Sequence, residues 1–423
     1  MTVLAVILQV AISLFAQNPA YSSGNLCRYF PADTSVTAPP PGYEPVYISH
    51  IARHGSRYYS TDKPFSVVDS LAAFNKAGLL TEEGIALMED LRRNVNLMKD
   101  HLGELTSLGA LEHRRICRRM YEHYPAVFGN PARRHIDAFS TGSGRVLASR
   151  ESFLLQLNAL APDMEVTNYK EIDPRARDSR REVRGHVLSN AEKDSAREGE
   201  RSLSHVTRKI QSRYNFDSFA SRIFIHPERI PEKRTAKLAA MIFPILKSTV
   251  MIGDESLQGP EKYFSPEELY LLWVPGCLGW AKYLPTHNYI DPFTIYRGGA
   301  ILDCMVRDAD EALSSGSSTA ATLRFSHDSY LIPLMAAMGL DGTFLDCSDS
   351  DIPDHFQDFR FVCGACNVQL VFFRNGEADV LVKFLLNEAE TLITGLQPVF
   401  SCYYKWNEVK ELWQNTVLAS LPS

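Results

Sequence analysis

Residues 46–57 read Val-Tyr-Ile-Ser-His-Ile-Ala-Arg-His-Gly-Ser-Arg, a β-branched apolar run that stops in a knot of positive charge. The run predicts a strand over 46–51 with a polar loop at its end. The same design recurs twice. An apolar alternation at 136–140 leads into Thr141-Gly-Ser-Gly-Arg145 and a helical stretch at 146–160. An apolar run at 321–325 ends in Ser326-His327-Asp328, ahead of a helix over about 329–338. Strands that feed helices in this way mean an α/β fold, in which ligands sit beyond the carboxyl ends of the strands. Three polar clusters so placed can converge on one pocket.

The residue types at these ends suit a phosphate. Arg53 and Arg57 offer planar, bidentate, charge-assisted donors to phosphoryl oxygens. Gly55 lets backbone and ligand approach closely. His54, held as the free base between them, can accept a phosphoryl group covalently. The Gly-rich turn before Arg145 opens a helix whose first N–H groups point outward, a natural place for an anion. Taken singly, each cluster has a plainer explanation. Arg-His-Gly occurs by chance, Arg145 suits a surface ion pair, and Asp328 suits the first turn of a helix. Their joint occurrence at strand ends favours a site. His50 and His54 stand four apart, as metal ligands can. They lie in a β-branched run closed by Gly55, and no glutamate follows His50, so no metal is expected.

At 423 residues the chain has room for one large core or two domains. Residues 17–42 read as an extended Pro-rich lead-in, and 80–125 as helices, the first capped at Thr81. From 168 to 285 strand signals nearly vanish. Residues 170–213 are polar and rich in basic side chains, and helical stretches follow near 235–250 and 265–283, the latter opened by a Ser265-Pro266-Glu267-Glu268 capping box. This predicts a helical insertion into an α/β domain. A helix is then expected over 294–313, and a hairpin joins 368–373 to 380–384 through Arg374-Asn375-Gly376. The division that results is a leader at 1–16, α/β at 17–167, the insertion at 168–285, and α/β again at 286–423. The run Met1–Ala16 fits the core of a signal peptide, so the mature protein is expected to be secreted or periplasmic. No other apolar run reaches about 18 residues, so no membrane span is expected. A net charge of −6 argues against nucleic acid as a general partner. Cys363-Gly-Ala-Cys366 looks like half a zinc site without its other half, which leaves a disulfide or buried thiols.

Four segments together resemble one family: Arg53–Arg57; Leu105–Tyr121, with Leu-Thr-x-Leu-Gly-x-x-Glu-His and Arg-Met-Tyr; Ser140–Arg145; and Phe325-Ser-His-Asp-Ser-Tyr-Leu-Ile-Pro333. The chain is similar to the histidine acid phosphatases of the clade-two histidine phosphatases. Within them it looks most like the multiple inositol polyphosphate phosphatases and bacterial phytase relatives. The resemblance implies a mixed sheet flanked by helices, with a mainly α-helical cap inserted. It implies His54 as nucleophile and Asp328 as proton donor. Arg53, Arg57, Arg145 and His327 would hold the phosphate, and neither cofactor nor metal is needed. The implied substrate is a small phosphomonoester, with inositol phosphates such as phytate foremost. A broad acid or sugar-phosphate phosphatase is the alternative, and a non-catalytic phosphate binder is an alternative of another class. One departure stands out: the inositol polyphosphate phosphatases typically carry His-Ala-Glu where this chain has His327-Asp328-Ser329.

Overall fold

The computed structural model describes residues 13–30, 36–171, 203–210, 215–285, 294–348, 351–376 and 379–421. Eight strands form one mixed sheet: β1 (Glu44–Arg53), β2 (His135–Ser140), β3 (Glu165–Tyr169), β4 (Thr319–Ser326), β5 (Asn367–Asn375), β6 (Asp379–Leu386), β7 (Ala389–Thr391) and β8 (Tyr404–Lys405). Their order is β3-β2-β4-β1-β5-β6-β7, with β8 also pairing β6. The pairs β3–β2, β2–β4 and β4–β1 are parallel, and the remainder antiparallel.

The main helices are α1 (Val67–Lys76), α2 (Glu82–Met98), α3 (Ser107–His123), α4 (Gly144–Leu160), α5 (Glu232–Lys247), α6 (Pro266–Ala281), α7 (Gly299–Ala312), α8 (Asp328–Met338) and α9 (Trp406–Thr416). Their starts follow from sequence. Thr81 and Thr106 accept hydrogen bonds from the N–H groups three residues on, and Ser265 with Glu268 closes a full capping box. Helix α1, which follows Pro64 and opens on two β-branched valines, was not anticipated.

The architecture is the expected mixed sheet flanked by helices. β1 lies at its centre, and its last seven residues, Tyr47–Arg53, are all buried. A strand covered on both faces reads as a near-continuous apolar run, which is what 46–52 is apart from Ser49 and His50. The described residues from β3 to α7 contain helices, Asp217–Ile223, α5 and α6 among them, and no named strand. Most of the basic-rich stretch 170–213 lies outside the described residues. So does most of the run 1–16, although residues 13–17 are helical and Phe15 packs edge-on against Trp273, ring centroids 5.3 Å apart. Among the described residues no helix is long and apolar enough to cross a membrane.

Two expectations are corrected. The lead-in is not simply extended: Pro19–Leu26 forms 3-10 turns kinked at Gly24 (φ +58°), and it packs inside the molecule. Its Ser22, Ser23, Gly24 and Leu26 are buried because their polar groups find partners there. The helix expected over 294–313 opens instead as a wide π turn at Thr294–Gly298 before α7 begins. At this turn Gly298 passes so close to α8 that a Cβ would stand 2.1 Å from the Pro333 carbonyl oxygen. Of the two readings left open for Cys363 and Cys366, the structure has buried thiols and no disulfide between them.

Candidate active site

Sheet register brings the three clusters together. Arg53 pairs with Ser326, and Ser140 pairs with Phe325, across parallel strands. The carboxyl ends of β1, β2 and β4 therefore stop side by side. His54, Arg145 and His327-Asp328 follow directly, as the strand-end argument expects.

The loop after β1 is held from every side. The His54 N–H donates to Ser326 O at 3.0 Å, and the Ala365 N–H donates to His54 O at 3.0 Å. Gly55 N–H reaches Ser149 Oγ on α4 at 3.0 Å. Glu112 on α3 accepts from Ser56 N and Ser56 Oγ, both at 2.7 Å. Gly55 meets Gly109 at the start of α3: a Cβ on Gly55 would lie 2.4 Å from Gly109 O, and one on Gly109 would lie 2.2 Å from Ser56 O. The glycine thus admits a helix as well as a ligand.

His54 Nδ1 lies 2.8 Å from Gly55 O. A carbonyl can only accept, so Nδ1 carries the hydrogen and Nε2 keeps its lone pair. Burial, with Arg53 and Arg57 beside it, holds the imidazole well below the usual histidine range. The ring is therefore neutral in mild acid.

Around it the positive charge is crowded. Burial, Arg53 and Arg145 push Arg57 down to about 10, and burial and Arg53 lower Arg145. Burial and Arg145 bring His327 to about 4. Its ring lies 5.5 Å from that of His54, with Arg145 Nη2 at 3.5 Å from Nδ1 and Thr141 Oγ1 at 3.3 Å from Nε2. Guanidiniums that depress one another call for an anion between them.

Arg53 is the most constrained of the set and fully buried. Its Nη1 donates to Asn25 O at 2.5 Å, Val362 O at 2.7 Å and Cys363 O at 3.1 Å. Its Nη2 stands 2.9 Å from Asp328 Oδ2. Only the remaining edge of the fork can face a ligand. Burial opposes ionisation of Asp328, but Arg53, the Asn25 amide, the Ser329 N–H and Arg57 outweigh it and hold the carboxyl below its ordinary value.

α8 presents Asp328 from its first turn. Pro333 in that helix has no N–H, so the Ser329 carbonyl loses its usual partner four residues on. Arg297 Nη1 supplies the missing donor at 3.1 Å.

Part of the sequence matches a known family. The histidine phosphatase superfamily (branch 2) aligns with residues 47–222. No curated protein sequence matches the chain. Among solved structures, the histidine phosphatase fold here is similar to the apo multiple inositol polyphosphate phosphatase of Bifidobacterium longum, with TM-score 0.74 and 18% identity over 93% of this chain and 97% of that one. The complex of that protein with inositol hexasulfate gives TM-score 0.70 at 18% identity, over the same shares. The phytase from D. castellii gives 0.67 at 14%, over 94% of this chain and 85% of that one. At such identities the likeness is one of fold.

All six residues picked from sequence thus lie together in this histidine phosphatase fold. Among the described residues no group of three or more histidines, cysteines or carboxylates could hold a metal. His50 is instead buried between rings, 5.4 Å from Phe153 and 5.9 Å from Phe325. Sequence reasoning missed Glu112, Ser149 and Asn25. Glu112 sits within the quoted Leu-Gly-Ala-Leu-Glu-His string and was the most findable. Asn25 carried no signal.

Proposed function

We propose that the protein is a phosphomonoesterase of histidine acid phosphatase type that hydrolyses inositol polyphosphates such as phytate. The observation that carries the proposal is the unprotonated Nε2 of His54 in a crowd of guanidiniums, with one carboxylate, Asp328, nearby. A site built only to hold phosphate has no use for a nucleophile and an acid together.

In this reading Arg57, Arg145, His327 and the free edge of Arg53 bind the phosphoryl oxygens. His54 Nε2 attacks phosphorus in line, a P–N bond forms, and the P–O bond to the leaving alkoxide breaks. Charge on the equatorial oxygens is met by donors already in place, usually the largest catalytic contribution. Asp328 gives its proton to the alkoxide. It then takes one from the water that cleaves the phosphohistidine and releases phosphate. The helices between β3 and α7 are proposed as the cap over the strand ends, since the Met251 carbonyl just after α5 accepts from Thr106 Oγ1, the hydroxyl that also bonds the Ser56 carbonyl. The apolar run at 1–16 supports export to the periplasm or medium.

A phytate time course with products resolved by chromatography tests this. Phosphate release with successive lower inositol phosphates is expected, and no release from His54→Ala. Hydrolysis of p-nitrophenyl phosphate without any of phytate would leave a broad acid phosphatase. In Asp328→Asn, turnover of alkyl phosphates should fall ~10²–10⁴-fold, and that of p-nitrophenyl phosphate much less, because its leaving group needs no proton.

A further inference from the structure

The N-terminal segment reaches the strand ends through one residue. Asn25 Nδ2 lies 3.2 Å from Asp328 Oδ2, across 303 positions of sequence. Its backbone is pinned independently: the N–H donates to Asp358 Oδ2 at 2.9 Å, and the carbonyl accepts from Arg53 Nη1. Asp358 is in turn held by the Trp273 indole at 2.7 Å. Gly24 makes this approach possible. It has φ +58°, and a Cβ there would stand 2.7 Å from Asp358 Oδ2.

A carboxylate has about four in-plane acceptor positions, two on each oxygen. Around Asp328, Oδ2 faces both Arg53 Nη2 and the Asn25 amide, while Oδ1 accepts one bond, from Ser329 N–H at 2.9 Å. The open position is therefore on Oδ1.

We propose that Asn25 is a positioning residue for Asp328, occupying Oδ2 so that the proton is carried and delivered by Oδ1. The proposal rests on the reading of Asp328 as the acid. It makes the segment Pro19–Leu26 part of the site. The charged and titratable groups facing Asp328 are Arg53 and Arg57 from β1 and its loop, Arg145 from α4, His327 next to it in the chain, and Cys366 ahead of β5. Asn25 does not titrate.

The test compares glycerol 2-phosphate, a poor leaving group, with p-nitrophenyl phosphate. Asn25→Ala removes the amide and keeps the backbone bonds. The ratio of kcat on glycerol 2-phosphate to kcat on p-nitrophenyl phosphate should fall about tenfold, a partial loss of the ~10²–10⁴-fold that acid catalysis contributes, with KM little changed. Asn25→Asp keeps the volume and places a second carboxylate beside the first. It should raise the apparent pKa on the alkaline limb of kcat, where the acid loses its proton. Asp328→Asn is measured alongside. If Asp328→Asn itself fails to separate the two substrates, the acid role falls and the proposal with it. If it separates them while Asn25→Ala slows both equally, or neither, the positioning role alone is overturned.

Discussion

At Asp328 two requirements oppose each other. The proposed acid must deliver a proton, yet its neighbours favour the carboxylate. The substrate resolves this. The dianion of a phosphomonoester takes up one proton near pH ~6, so in mild acid it arrives as a monoanion that can hand that proton to the site. Bound phosphate also offsets the positive charge of Arg53 and Arg57. His54 is held far below the usual histidine range, so it stays unprotonated over the same interval. As pH falls from 7 towards 5 the substrate gains the needed proton and the nucleophile loses nothing. We expect kcat/KM to peak on the acid side of neutrality, and a pH–rate profile peaking above 8 would contradict the mechanism. The six site residues were legible because strand ends in an α/β sheet converge, and Arg53, His54, Arg57, Arg145, His327 and Asp328 stand at such ends. Asn25 and Glu112 were not, because what they touch is decided by tertiary contacts that local sequence does not encode.

Helix α3 acts on the site by proximity. Its Gly109 lies against the Ser56 carbonyl with no space for a methyl group. Gly109→Ala should push α3 away from the loop and weaken the bonds from Glu112 and Thr106 to Ser56. The expected result is loss of at least ~10²-fold in kcat/KM, since displacements near 1 Å cost that much, with a lowered Tm. Wild-type rates in Gly109→Ala would show that the close approach is dispensable. Helix α8 depends on Arg297 in a comparable way. Arg297→Ala would strip the Ser329 carbonyl of its donor at the turn that carries Asp328. Leaving such a group unsatisfied costs ~1–3 kcal/mol, readable as a lower denaturant midpoint with an unchanged m-value. The capped helices and the hairpin could be read from sequence because their signals are local. The 3-10 turns at Pro19–Leu26 and the π turn before α7 could not. Both arise where backbone meets backbone, at Gly24 and Gly298.

Over the whole molecule, stability and activity pull in opposite directions with pH. His50 on β1 and His113 on α3 are fully buried around Phe325. Burial lowers both to about 3. The unfolded chain binds these protons near pH 6.5 and the folded chain does not, so folding stability falls as pH drops from about 6.5 towards 3. Each group contributes a slope of about 1.4 kcal/mol per pH unit within that window. Urea unfolding at pH 7 and 4.5 should show this loss, and His113→Leu should remove one histidine's share of it, the lowered His54 and His327 also contributing. An identical pH dependence in wild type and variant would contradict the account.

The parallel pairing of β1 with β4 joins residues about 270 positions apart, Ile48 with Ala321. The Arg53 cradle reaches further still, to Cys363. Residues 47–222 therefore carry the proposed nucleophile without its acid, and without any of the three carbonyls that fix Arg53. A growing chain would expose its reactive imidazole early but could not arm it until nearly nine-tenths of the polypeptide had been made. Completion of the fold would itself be the event that switches the proposed activity on.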